Sequence, residues 1–208
     1  MGQVRAVLWD FGGVILSSPF EAFAAYEREH GLPEGFLRQL NATDPDTNAW
    51  ARLERSEVDL QGFAELYESE AAAAGHGIDA GAVLALLSGE LRPAMVRALR
   101  RIRAEGLAQA CLTNNVAGME AARPELAEVM ELFDTVLESS KLGVRKPDPR
   151  FYDLALEAVG VAPPEAVFLD DLGINLKPAR ALGIHTIKVV EPDQALAELE
   201  EVLGFTLA

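Results

Sequence analysis

The chain has a single cysteine, Cys111, in 208 residues. No internal disulfide can form, and such usage fits a reducing compartment, pointing to the cytoplasm. It has no apolar run approaching the ~20 residues a membrane span requires. The start, MGQVRAVLWD, lacks a basic stretch followed by an apolar run and a small-residue cleavage site, so no export signal is expected. Positive charge is scarce: 18 Lys and Arg stand against 33 Asp and Glu, a formal net charge of −15. A nucleic-acid partner is therefore not expected, because phosphate backbones are held by clustered Lys and Arg. The same excess repels small anions at long range, so any phosphate site needs a local cation, either a metal or a well-placed lysine.

Half of the residues are hydrophobic, and the length suffices for one core with a modest insertion. Val4–Asp10 (VRAVLWD) is a short apolar run and predicts a buried strand. Four more follow: Leu107–Thr113, Thr135–Glu138, Ala166–Asp171 and Ile184–Val190. Between them lie helical patterns at Pro93–Glu105, Phe151–Val159 and Lys177–Leu182, the last closed by Gly183, with Asp193–Leu203 forming a tail helix. Strands alternating with helices predict an α/β fold, a Rossmann-like parallel sheet covered on both faces. Residues 17–89 break this rhythm. They carry helical patterns at Phe20–Glu29, Glu34–Gln39, Leu60–Ala74 and Asp79–Leu87, and read as a helical insert after the first strand. The expected division is a core of 1–16 with 90–208, and an insert of 17–89.

In open α/β sheets, ligands bind beyond the carboxyl ends of the strands. The polar clusters of this chain fall at four such ends. Asp10 closes the first strand, Thr113-Asn114-Asn115 the second, and Lys146 lies in the loop KLGVRKPDP after the third. Asp170-Asp171 closes the fourth, with Asn175 a turn later. A carboxylate at Asp10 can attack phosphorus. Carboxylates brought together repel unless a cation sits among them, and Mg²⁺, with its preference for oxygen ligands, is the natural one. Thr113 can hydrogen-bond a phosphate oxygen, and Lys146 can offset the acids. Phosphoryl transfer is mostly positioning and charge stabilisation, so these parts suffice.

The motifs WDFGGV, LTNN, RKPDP and FLDDLGIN, in that order, resemble those of the haloacid dehalogenase superfamily. The run VFLDDLGINLKPARALGIHTI is similar to the subgroup that includes the N-terminal phosphatase domain of soluble epoxide hydrolase. The resemblance implies a HAD-like core with residues 17–89 as a helical cap, and Mg²⁺-dependent hydrolysis of a small phosphorylated metabolite. It implies Asp10 as nucleophile and metal ligand, Gly12 as a backbone-carbonyl ligand, and Thr113 with Asn114 as holders of the phosphoryl group. Lys146 would stabilise charge, Asp171 would bind the metal directly, and Asp170 would act through water or from behind. Asn175 would orient Lys146 or a metal-bound water. Trp50 and Arg52, in NAWARLERSE, are candidates for reading the substrate from the cap.

One position departs from the pattern. The superfamily's phosphatases usually carry Asp-x-Asp in the first motif, where the second acid protonates the leaving group and later activates water. This chain reads Asp10-Phe11-Gly12. General acid–base help is worth roughly 10²–10⁴ in rate. Three readings stay open: a phosphatase with slower turnover or a leaving group needing less help, a weakened member that binds phosphorylated ligands or another protein, and a metal-free 2-haloacid dehalogenase. The acidic pair Asp170-Asp171 argues against the last. Cys111 reads as a core residue, and His30, His76 and His185 as turn or surface positions without the partners of a metal site.

Overall fold

The computed structural model describes residues 3–117 and 124–207. Five strands form one sheet: β1 (Ala6–Trp9), β2 (Ala108–Thr113), β3 (Thr135–Glu138), β4 (Ala166–Asp170) and β5 (His185–Lys188). All pair in parallel, in the order β3-β2-β1-β4-β5. The inner strands β1, β2 and β4 are buried because both faces are covered. Alternate residues of β1 enter opposite layers. Val7 and Trp9 pack with Met95, Leu99, Ile102 and Leu199 on one side. Leu8 packs with Phe151, Tyr152, Phe168 and Leu176 on the other.

The helices are α1 (Phe20–Glu29), α2 (Phe36–Ala42), α3 (Ala49–Glu54), α4 (Leu60–Ala73), α5 (Ala80–Ala85), α6 (Pro93–Ala104), α7 (Pro124–Met130), α8 (Ser139–Leu142), α9 (Pro149–Val159), α10 (Gly173–Ala181) and α11 (Pro192–Leu203). Helix α3 was not foreseen. It is one and a half turns long, and Asn48 starts it by accepting from the Ala51 N–H at 2.9 Å. Helix α10 begins four residues earlier than the expected Lys177, because Gly-Ile-Asn carries little helical pattern. None of the described helices is long and apolar enough to cross a membrane.

Helices α1 to α5 gather around an apolar cluster of their own, with Phe23, Leu37, Trp50, Phe63, Tyr67 and Val83 at its centre. Val116, from the loop after β2, is buried in that cluster as well. The chain leaves and re-enters the sheet region at one place. Leu16 bridges Leu91, Ser17 N–H donates to Glu90 O at 2.8 Å, and Arg92 N–H donates to Ile15 O at 2.9 Å.

Candidate active site

Strand β1 delivers Asp10 to its carboxyl end, where the Asp10 N–H still donates to Leu169 O of β4 at 2.9 Å. A tight turn follows, closed by Leu16 N–H to Phe11 O at 2.9 Å. Its two glycines differ. Gly13 has φ +76°, and a Cβ there would come within 2.2 Å of Asp171 Oδ2. Only glycine fits both the conformation and the space. Gly12 has φ −69° and ψ 134°, ordinary extended backbone, and a Cβ there would meet nothing within 4 Å. A side chain at position 12 is thus sterically permitted; none is present.

Asp10 Oδ1 accepts from the Phe11 N–H at 2.6 Å and from the Lys146 ammonium at 2.7 Å. Its Oδ2 has no such bond among the described residues. Lys146 Nζ also donates to Asp170 Oδ2 at 2.9 Å and lies 5.5 Å from the centre of the Phe168 ring. Lys146 is 1% exposed and Asp170 fully buried. Asp170 is held from two further directions. Leu172 N–H donates to its Oδ1 at 2.7 Å, and Asn175 Nδ2 reaches both of its oxygens at 3.0 and 3.1 Å. Asn175 is fixed in turn by Tyr152, whose hydroxyl donates to the Asn175 backbone carbonyl at 2.7 Å. Asn175 thus bonds Asp170, which in turn bonds Lys146. Tyr152 drew no notice in the sequence, because it lies within an apolar helix stripe.

Asn114 locks the lysine loop to the end of β2. Its Nδ2 donates to Lys146 O at 3.0 Å, and its Oδ1 accepts from Lys146 N–H at 2.9 Å. Its side chain is thus committed to protein, which leaves its backbone N–H for a ligand. Thr113, buried beside it, makes no side-chain hydrogen bond among the described residues. Asn115 reaches away, accepting from Ser140 N–H and Oγ at 3.2 and 2.9 Å.

Carboxylate oxygens of Asp10, Asp170 and Asp171 all lie within 4.8 Å of one another. Burial raises the Asp10 pKa well above the usual range, Lys146 opposes this, and the charges of Asp170 and Asp171 add to it. Asp171 is pushed up to about 6, by burial first and then by Asp170, against the pull of Lys146, its own backbone and Arg92. Burial alone would lower Lys146, but the Asp10 and Asp170 charges outweigh it and raise its pKa, so the ammonium stays protonated. One lysine thus faces three acids. The cluster has the hard-oxygen donors and the surplus negative charge that suit a divalent cation.

The two candidates from the insert stand apart from this cluster. Trp50 is buried in the insert's own core, edge-on to Phe63 at 5.0 Å and to Tyr67 at 5.7 Å. Helix spacing placed it there as a packing residue of the insert's apolar cluster. Arg52 is half-exposed and lies 3.8 Å from Glu57. Arg145, the residue before Lys146, joins the insert to the sheet region. Its Nε donates to Glu54 Oε2 at 2.5 Å and its Nη1 to Pro45 O at 2.8 Å. Cys111 is fully buried, with burial pushing its thiol pKa up. His30 is an exposed turn residue stacked on Tyr26, and His185 is exposed, but His76 packs half-buried against Phe36.

A family model described as haloacid dehalogenase-like hydrolase matches residues 4–183. The chain is 39% identical over 98% of its length to acyl-CoA dehydrogenase family member 10 of Mus musculus, and 34% identical over 98% to bifunctional epoxide hydrolase 2 of Sus scrofa. It spans only 19% and 40% of those two proteins. Among solved structures, a HAD family enzyme of Bacteroides thetaiotaomicron in complex with magnesium and inorganic phosphate superposes with a TM-score of 0.60 at 20% identity, covering 89% of this chain and 93% of that one. A dehalogenase with an intermediate complex superposes with a TM-score of 0.70 at 22% identity, covering 98% of each. At such identities the two structures share the fold.

Proposed function

The chain belongs to the haloacid dehalogenase-like hydrolases, and on that premise we propose that it hydrolyses a small phosphomonoester through an aspartyl-phosphate on Asp10, with Mg²⁺ as cofactor. The observation that carries this reading is the set of three carboxylates, two buried and one half-buried, gathered around one buried lysine. Such a set is costly unless a further cation joins it. Asp10, Asp171 and the Gly12 carbonyl would hold the metal, with Asp170 behind them. Bound Mg²⁺ would neutralise the acids and the incoming phosphoryl group.

The chain's own residues account for the rest. Phe11 N–H and Lys146 fix Asp10 by Oδ1, which leaves Oδ2 to meet phosphorus. As the Asp10 oxygen–phosphorus bond forms, the bond to the ester oxygen breaks and the alcohol departs. Water then cleaves the aspartyl-phosphate and releases inorganic phosphate. Thr113 and the Asn114 N–H would hold the phosphoryl oxygens. With Gly12 in place of an acid, the departing oxygen takes its proton from water. This favours substrates whose leaving group is a weak base, such as an anomeric sugar phosphate or an acyl phosphate. The insert, closed over buried side chains, would exclude bulk water and read the leaving group.

A panel of sugar phosphates, acyl phosphates and nucleotides with Mg²⁺ tests this. Turnover is expected on good leaving groups, lost in Asp10→Asn. Gly12→Asp, which has room for its side chain, is expected to raise turnover on poor leaving groups more than on good ones. No turnover across the panel, together with an inert Asp10→Asn change, would favour a phospho-ligand binder. Metal-free halide release from a 2-haloacid would favour a dehalogenase instead.

A further inference from the structure

Arg92 takes no part in the scheme above, yet it stands beside it. It lies where the chain re-enters the sheet region, just before Pro93 opens α6. Its backbone N–H is tied to Ile15 O at 2.9 Å, in the turn that runs on from Asp10. That turn abuts Asp171 at Gly13. The Arg92 charge is felt at Asp171, where it opposes the effect of burial.

Its side chain is half-buried, and its Nη1 is buried with no hydrogen-bond partner among the described residues. In a chain with 33 acids and 18 bases this is unusual. Among the described residues the other largely buried bases are paired: Lys146 with Asp10 and Asp170, Arg145 with Glu54, Arg55 with Glu57. A buried guanidinium N–H without an acceptor is unfavourable, and an anion is the acceptor it matches best, because its fork fits phosphate oxygens in pairs. The charge count agrees. Three carboxylates, one lysine and a divalent metal sum to zero, so a phosphoryl dianion arrives uncompensated. Lys146 has already committed two of its donors to carboxylates.

We infer that Arg92 is a substrate-binding residue that grips the transferring phosphoryl group through its guanidinium, an inference that rests on the phosphatase reading above.

Calorimetric titration of Mg²⁺, and then of inorganic phosphate into the Mg²⁺-loaded protein, tests it in wild type, Arg92→Gln and Arg92→Lys. Arg92→Gln is expected to weaken phosphate binding at least tenfold, with Mg²⁺ binding unchanged or tighter, since a cation is removed from beside Asp171. Arg92→Lys keeps the charge without the fork and is expected to fall between. Equal phosphate affinity in all three proteins overturns the assignment and leaves the phosphatase reading standing. Loss of Mg²⁺ affinity and thermal stability in parallel with phosphate affinity also overturns it, since that is the signature of a structural support. A wild type that binds Mg²⁺ but no phosphate overturns the reading and the assignment together.

Discussion

Two adjacent glycines follow the nucleophile candidate, and they are glycines for different reasons. At Gly13 the backbone is left-handed and Asp171 occupies the space of a side chain. At Gly12 neither constraint applies. Gly13→Ala should therefore cost roughly 1–3 kcal/mol through backbone strain, with further loss of Mg²⁺ affinity as Asp171 is pushed aside. Gly12→Ala should fold with a stability within about 0.5–1 kcal/mol of wild type, and with unchanged Mg²⁺ affinity. Urea denaturation and Mg²⁺ titration of the two variants check this. Equal losses in both would mean that the turn, not Asp171, sets the requirement. In the sequence the pair was legible only as a spacing. That an acid is missing at position 12 could be read directly; that the site keeps room for one could not, because it depends on what surrounds the turn.

At the scale of the elements, the strand ends were the readable part. Each candidate on the sheet side closes or follows a short apolar run, and the parallel register sets Asp10, Thr113 and Asp170 at neighbouring strand ends, while Lys146 arrives on the loop after β3. The insert was less readable. Helix α3 is too short to show a period, so the sequence alone does not tell whether Trp50 packs or faces a ligand; it is buried in the insert's core. The role of Arg145 was invisible, because its partners Glu54 and Pro45 are some 90 to 100 positions away. This clamp joins α3 to the residue before Lys146, while Val116 fastens the loop after Thr113 into the insert's core. Two of the four strand-end loops are thus held by the insert. Glu54→Gln should lower stability by about 1–3 kcal/mol and speed amide hydrogen exchange across residues 45–57. Exchange at the wild-type rate would show that the insert is held closed by its apolar contacts instead.

At the scale of the whole molecule, charge is the governing quantity. On the proposed reading, a net charge of −15 would draw Mg²⁺ toward the site and slow the approach of an anionic ester. A bound metal would therefore both neutralise the acids and receive the ester, and pH tests the first of these. The folded-state pKa of Asp171 is raised from 3.8 to about 6. Between those values the metal-free folded protein holds a proton that the unfolded chain releases. The contribution of Asp171 to stability is full below about 4 and is lost as pH rises through 6. Mg²⁺ competes with that proton. The gain in melting temperature on adding Mg²⁺ should thus be larger at pH 7.5 than at pH 5, and saturating metal at about 100 times its dissociation constant should add about 2.7 kcal/mol at the higher pH. Scanning calorimetry at both values decides. A gain as large at pH 5 would mean that Asp171 is not among the ligands.

The paired entry and exit of the insert has one more consequence. Residues 17 and 90 are a hydrogen bond apart, so the sheet closes at the same span whether the excursion between them is seventy residues or a short turn. Loop length adds little to the cost of that closure, and neighbouring ends are where chains accept transplanted modules. The insert is in this sense a detachable tool head on a common handle. A grafted replacement would need to supply two sockets from its own surface: an apolar one for Val116 and an acidic one for Arg145.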